Sequence, residues 1–133
     1  MNATRRILYF FPALFYYGII FLLSSQSSFP VKEPFGNFDK IIHVAEFAVL
    51  GFFLTYGYVK SFKFSWLLKA ILVFLTGLGL GLLDEFHQSF VPGRNRDLWD
   101  AVTDAVGIAV GILVFRLIFK KVRRRFPGNS LIR

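Results

Sequence analysis

Ten polar or ionisable side chains lie at the borders of long apolar stretches, where they could do chemistry together. Carboxylates beside a histidine suit general acid–base catalysis or the binding of a divalent cation. Lysine and arginine suit the recognition of phosphate. In chain order, the ten residues are Asp39, Lys40, His43, Glu46, Asp84, Glu85, Gln88, Arg94, Asp100 and Asp104.

Helical spacing places some of these residues on common faces. Asp39, His43 and Glu46 are separated by four and then three residues, so they share one face of a helix. His43 and Glu46 then fall inside an apolar stretch, as Asp104 does in another, and an ionisable group in a membrane span costs roughly 2.5–3.5 kcal/mol. Such groups are usually paired or functional. Mutual pairing, with Arg94 folded onto the acids, and helix capping by Asp39 are the alternatives to function.

Four apolar segments must position these groups. They cover residues 7–23, 41–59, 66–83 and 98–119, and each fits the roughly 17–25 residues of a membrane-spanning helix. Hydrophobic residues make up 55% of the chain. This is more than the core of a soluble domain of this length can hold. The sequence therefore predicts an all-α fold: an integral membrane four-helix bundle forming a single domain over residues 1–133. Pro12 is expected to kink the first helix.

The distribution of charge predicts how the bundle is oriented. Basic residues without acids precede the first segment, occupy the second connection and follow the fourth segment. All eight acids fall in the first and third connections or in the helix ends beside them. The positive-inside rule therefore places both termini in the cytoplasm and the polar groups at the outer face. Basic residues that set the membrane orientation explain the net charge of +8, so we expect no nucleic-acid partner.

Two pairs of glycines occur in the third and fourth segments. Gly77 is four residues from Gly81, and Gly107 is four residues from Gly111. This spacing puts small residues on one face and lets helix backbones approach closely. We expect the third and fourth helices to pack against each other along these glycines.

Two blocks of the sequence resemble the signature of the VanZ-like family. The first block is DKIIHVAEFAVLGF at 39–52, and the second is LLDEFHQSFVPGRNRDLWDAVTDAVGIAVG at 82–111. SSQSS at 24–28 is also typical of the family, and the resemblance covers about residues 20–115. Asp104 and Asp97 depart from the pattern, because the family usually has asparagine and a small or hydroxyl residue there. An aspartate in place of a buried asparagine must be paired, metal-bound or protonated.

This resemblance implies a small multi-pass membrane protein of bacterial type, so the expected location is the bacterial plasma membrane. The family's best-known member is associated with resistance to the glycopeptide antibiotic teicoplanin. An effect on glycopeptide susceptibility and a partner in the cell envelope are therefore expectations for this chain.

Three functions are compatible with the residues. The first is binding of a membrane lipid or a lipid-linked cell-wall intermediate, with Lys40 and Arg94 meeting phosphate. The second is a membrane-embedded hydrolase or transferase, with His43 as general acid or base beside Glu46 and a divalent cation held by acids. The third is a structural helical subunit of an envelope complex. The sequence does not decide between an enzyme and a binding protein.

The residues divide according to these hypotheses. The expected catalytic residues are His43, Glu46, Asp84 and Glu85. The expected binding residues are Asp39, Lys40, Gln88, Arg94, Asp100 and Asp104. The sequence does not identify a cofactor, and it does not identify which metal, if any, would bind. Because the chain has no cysteine, thiolate metal sites and disulfides are excluded.

Overall fold

The computed structural model describes residues 2–27, 38–92 and 98–125. These residues form five α-helices and no strand, which confirms the prediction of an all-α fold. The helices are α1 (Ala3–Leu8), α2 (Phe11–Ser24), α3 (Phe38–Ser61), α4 (Trp66–Gln88) and α5 (Leu98–Arg125).

The first apolar segment divides into α1 and α2 instead of forming the single kinked helix predicted over 7–23. The helical pattern is interrupted at Tyr9 and Phe10, and Pro12 lies in the first turn of α2. Proline has no N–H to donate to the carbonyl four residues earlier, and its ring clashes with that carbonyl. The Phe10 N–H instead donates to the Ile7 carbonyl at 2.9 Å, and α2 begins directly afterwards.

Within the described ranges, three helices are long and apolar enough to cross a membrane. They are Phe38–Ser61, Trp66–Gln88 and Trp99–Arg125, of 24, 23 and 27 residues. α2 has 14 residues, which at about 1.5 Å per residue is shorter than the roughly 30 Å hydrocarbon core. The three long helices support a membrane protein, and a fourth span built from α1 and α2 stays a prediction.

The polar residues after the third segment belong to a helix. That segment was expected to end near residue 83, but α4 continues to Gln88. Gln88 Nε2 donates to Asp84 Oδ2 at 2.8 Å across one helical turn, and both side chains are buried. Asp84 and Glu85 are therefore buried residues in the last turns of α4.

Glycines bring the helices together, but not in the pairing expected from the sequence. A Cβ added to Gly107 would lie 2.6 Å from the Val44 carbonyl oxygen, and one added to Gly111 would overlap the Ala48 carbonyl oxygen. Both acceptors are backbone atoms of α3, so these glycines pack on the second predicted segment and not on the third. Gly77 and Gly81 do face α5, where they meet the side chains of Ile108 and Asp104. The prediction for the α5 glycines was wrong because four-residue spacing identifies a face without identifying its partner.

The bundle has a small apolar core and an apolar exterior. Phe47, Leu50 and Ile108 are fully buried where α3 and α5 meet, and Val73 of α4 packs with them. Many large apolar side chains point outward on all the long helices, Leu67, Leu75, Leu113 and Leu117 among them. An apolar exterior of this extent suits lipid better than water.

Opposite ends of the bundle differ in their polar residues. α2 and α4 end, and α3 and α5 begin, at the end that carries the buried acids. At the other end, Ser61 Oγ donates to the Arg6 carbonyl at 3.0 Å, and the Arg116 guanidinium lies 5.2 Å from the Trp66 ring centroid. The separation of acids from basic residues agrees with the charge pattern, while the orientation in a membrane stays a prediction.

Single cysteines test that orientation, since the chain has none of its own. We expect Ser27→Cys and Ser89→Cys, both at exposed positions, to react with an impermeant maleimide from outside intact cells. Lys63→Cys, also exposed but at the opposite end, should react only after permeabilisation. Labelling of Lys63→Cys in intact cells would reverse the predicted orientation.

Candidate functional site

Seven polar side chains from four helices are buried together at one end of the bundle. We call this set the buried polar cluster: Ser24, His43, Asp84, Glu85, Gln88, Asp100 and Asp104. His43 and Asp104 lie in the second turns of α3 and α5, and Glu85 lies in the last turn of α4. The cluster therefore extends from the helix ends, where Ser24 and Gln88 lie, to about two turns below them.

A histidine–aspartate pair joins α3 to α5 within the cluster. His43 Nδ1 lies 2.9 Å from Asp104 Oδ1, and the Asp104 side chain is 0% exposed. Gly81 makes room for this carboxylate, because a Cβ there would lie 2.8 Å from Asp104 Oδ2. Among the described residues, none forms a hydrogen bond with Asp104 Oδ2. The pair thus leaves one buried carboxylate oxygen unsatisfied.

Asp84 is held by two hydrogen bonds and links α2 to α4. Ser24 Oγ donates to Asp84 Oδ1 at 2.5 Å, and Gln88 Nε2 donates to Oδ2. Nearby, the Tyr17 hydroxyl donates to the Leu80 carbonyl at 3.0 Å and joins the same two helices. Sequence reasoning missed Ser24 as a site residue, although the SSQSS stretch that contains it was a signal. Asp84 thus links two helices through its hydrogen bonds, and its catalytic role stays a prediction.

Lys40 and Asp100 form an ion pair at the edge of the cluster. Lys40 Nζ lies 2.8 Å from Asp100 Oδ1 and 3.7 Å from Asp39 Oδ2. Lys40 is therefore directed at carboxylates in this structure. The pairing agrees with the alternative that some charged groups in this region neutralise one another.

Glu85 completes a group of three ligating residues. His43, Glu85 and Asp104 each offer one nitrogen or carboxylate oxygen atom, and the three atoms lie within 4.8 Å of one another. All three residues are buried. Glu46 is half-buried and does not belong to this group. Two predicted catalytic residues, His43 and Glu85, thus meet a predicted binding residue, Asp104.

Three further residues lie away from this group or outside the described part of the chain. His87 lies at the exposed margin, where its Nε2 is 2.9 Å from Ser25 Oγ and its ring stacks on Phe21 with centroids 4.1 Å apart. Arg94, predicted to bind phosphate or neutralise the acids, lies outside the described residues, as does Asp97.

The arrangement can support three kinds of chemistry. Asp104 orients the His43 ring through Nδ1, which would leave Nε2 for proton transfer to a bound molecule. The three ligating atoms could instead hold a divalent cation. A buried charge pair can also serve only to fix how helices associate.

Comparison with known proteins agrees with the sequence resemblance. Neither characterised proteins nor solved structures gave a match. A family model described as VanZ/LLP1 matches residues 2–120, a range that contains all the helices up to most of α5 and the whole buried polar cluster. Since this match covers most of the chain, the protein belongs to the VanZ/LLP1 family.

Proposed function

We propose that this protein binds the polar head group of a membrane lipid or of a lipid-linked cell-envelope intermediate at the buried polar cluster. One observation carries the proposal: the cluster lies at the same level as outward-facing apolar side chains. Leu83 and Phe86 flank Asp84 and Glu85 in α4, yet they are 59% and 53% exposed while the two acids are buried. Trp99 and Val102 are likewise exposed beside buried Asp100 in α5. A molecule with a polar head and apolar chains complements both features.

The charges restrict what the head group can be. Six acids lie at this end of the described chain, against Lys40 and two histidines. Carboxylates accept hydrogen bonds from hydroxyl, amide and amine groups, which glycan-bearing intermediates offer in number. A phosphate alone would be repelled unless a cation is interposed, and Lys40 is engaged by Asp100. Arg94 stays our candidate for a direct contact with phosphate.

Lipid extraction followed by mass spectrometry tests the proposal. Protein purified in native-lipid discs should carry one lipid class enriched severalfold over the surrounding membrane. Glu46 lies outside the buried polar cluster but one turn from His43 in α3 and is half-buried. Glu46→Gln should reduce the enrichment, because it removes one acceptor oxygen and a negative charge next to the cluster. Lys63→Ala, at the opposite end, should leave it unchanged. A wild-type lipid profile identical to that of the bulk membrane would contradict the proposal.

The location and the cellular effect follow from the same proposal. The protein acts in the bacterial plasma membrane, with the cluster facing the outer leaflet, and alters teicoplanin susceptibility through the bound intermediate. The same two variants, expressed at equal levels, provide the cellular comparison. Susceptibility should differ from wild type for Glu46→Gln and not for Lys63→Ala.

A further inference from the structure

We propose that His43, Glu85 and Asp104 form a binding site for one divalent transition-metal ion. The three residues come from three different helices, α3, α4 and α5, which no local sequence motif brings together. The site goes beyond the proposed head-group binding and does not depend on it.

The distances suit ligands of one ion. His43 Nδ1 and Asp104 Oδ1 are 2.9 Å apart. Two ligands bonded to one ion at about 2.0–2.2 Å lie roughly 3–3.5 Å apart at the usual angles, close to this separation. One ligating atom from each of the three residues lies within 4.8 Å of the other two, so a side-chain adjustment of about 1 Å would complete the set.

The Asp104 carboxylate supplies a second, independent indication. Its side chain is fully buried, and Oδ2 accepts no hydrogen bond from any residue in the described ranges. A buried acceptor without a partner costs about 1–3 kcal/mol, and a charged one costs more. An ion coordinated by both oxygens of Asp104 would satisfy Oδ2 as well, whereas His43 contacts only Oδ1.

Charge balance favours an ion at these three residues. Two carboxylates and a neutral imidazole around a divalent cation sum to zero charge, which a low-dielectric interior tolerates best. Asp84 is already engaged by Ser24 and Gln88, and Asp100 is engaged by Lys40. Of the four buried acids of the cluster, Glu85 and Asp104 are the two whose carboxylate oxygens lie within 4.8 Å of each other and of a His43 ring nitrogen.

The ligand types indicate which ions would bind. One imidazole and two carboxylates suit Zn²⁺ or Mn²⁺, whereas Ca²⁺ and Mg²⁺ prefer ligand sets made of oxygen. Three protein ligands leave at least one coordination position open for water or another small donor. If a phosphate oxygen occupies this open position, the ion would bridge the acids to a lipid head group. Only this bridging role rests on the proposed function.

Metal analysis of the full chain tests the site. Wild-type protein, purified without chelator and then titrated separately with Zn²⁺ and Mn²⁺, should bind about one ion per chain at micromolar concentrations. Glu85→Gln keeps the side-chain size and removes one ligand charge, so it should weaken binding at least tenfold. His87→Gln removes the other histidine at this end and should leave binding unchanged.

Three results would overturn the proposal. One is wild-type protein that carries neither ion and takes up neither in titration, a measurement that needs no variant to fold. A second is binding that Glu85→Gln leaves intact in protein whose thermal melting shows it folded. The third is binding that His87→Gln weakens as much as Glu85→Gln, because ions would then be held at the surface. Head-group binding could still stand in each case, since it is measured by lipid content.

Discussion

Replacing Gly111 with leucine should leave little folded protein. A Cβ at this position would overlap the Ala48 carbonyl oxygen and lie 2.7 Å from the Phe52 amide nitrogen. Both are backbone atoms of α3, so the clash cannot be relieved by turning a side chain. Relief requires α3 and α5 to separate, which removes the contacts of Phe47, Leu50 and Ile108 in the core. We expect a loss in stability of at least about 3 kcal/mol, at the upper end for overpacking.

Gly79→Leu is the matched control for this prediction. Gly79 lies in the middle of α4, is exposed, and has nothing within 4 Å of an added Cβ. Thermal melting in detergent, followed by size-exclusion chromatography, compares the two variants. Gly79→Leu should melt like wild type. Equal melting of Gly111→Leu would mean that α3 and α5 do not approach each other at this glycine.

His43→Leu should destabilise the protein by about 3–5 kcal/mol, because it leaves the Asp104 carboxylate buried without a partner. Leucine is similar in volume to histidine, so the loss reflects charge and hydrogen bonding more than a cavity. The measurement is melting in detergent with a chelator present, which removes any contribution from a bound metal. His87→Leu is the control: His87 is only half-buried and lies at the margin, so its loss should cost less than about 1 kcal/mol.

The double variant His43→Leu/Asp104→Asn separates lost charge pairing from general damage to the core. Asparagine keeps the size of the Asp104 side chain and removes the negative charge that His43→Leu leaves without a partner. The double variant should therefore be more stable than His43→Leu alone, as expected when two coupled groups are replaced together. If the second substitution lowers stability further, the two side chains are not coupled through their charges and the pair is not the reason for the loss.

The sequence alone was sufficient for the helical class and for the level at which the polar groups lie. Apolar stretches of about 20 residues can satisfy their backbone hydrogen bonds in lipid only as helices or barrel strands, and their length selects helices. His43 and Asp104 follow the starts of their apolar segments by a few residues, which predicted that both lie about one or two turns inside the membrane-spanning helices. Their burial in the structure agrees with that prediction.

Tertiary structure decided which groups meet. Helical periodicity shows that Gly107 and Gly111 share a face, but only packing determined that this face meets α3. Likewise, the sequence predicts the same catalytic role for the neighbouring acids Asp84 and Glu85. In the structure, Asp84 accepts a hydrogen bond from Ser24, whereas Glu85 lies beside His43 and Asp104. Partner choice depends on the shapes and volumes of whole helix surfaces, which the residue types at a few spaced positions do not contain.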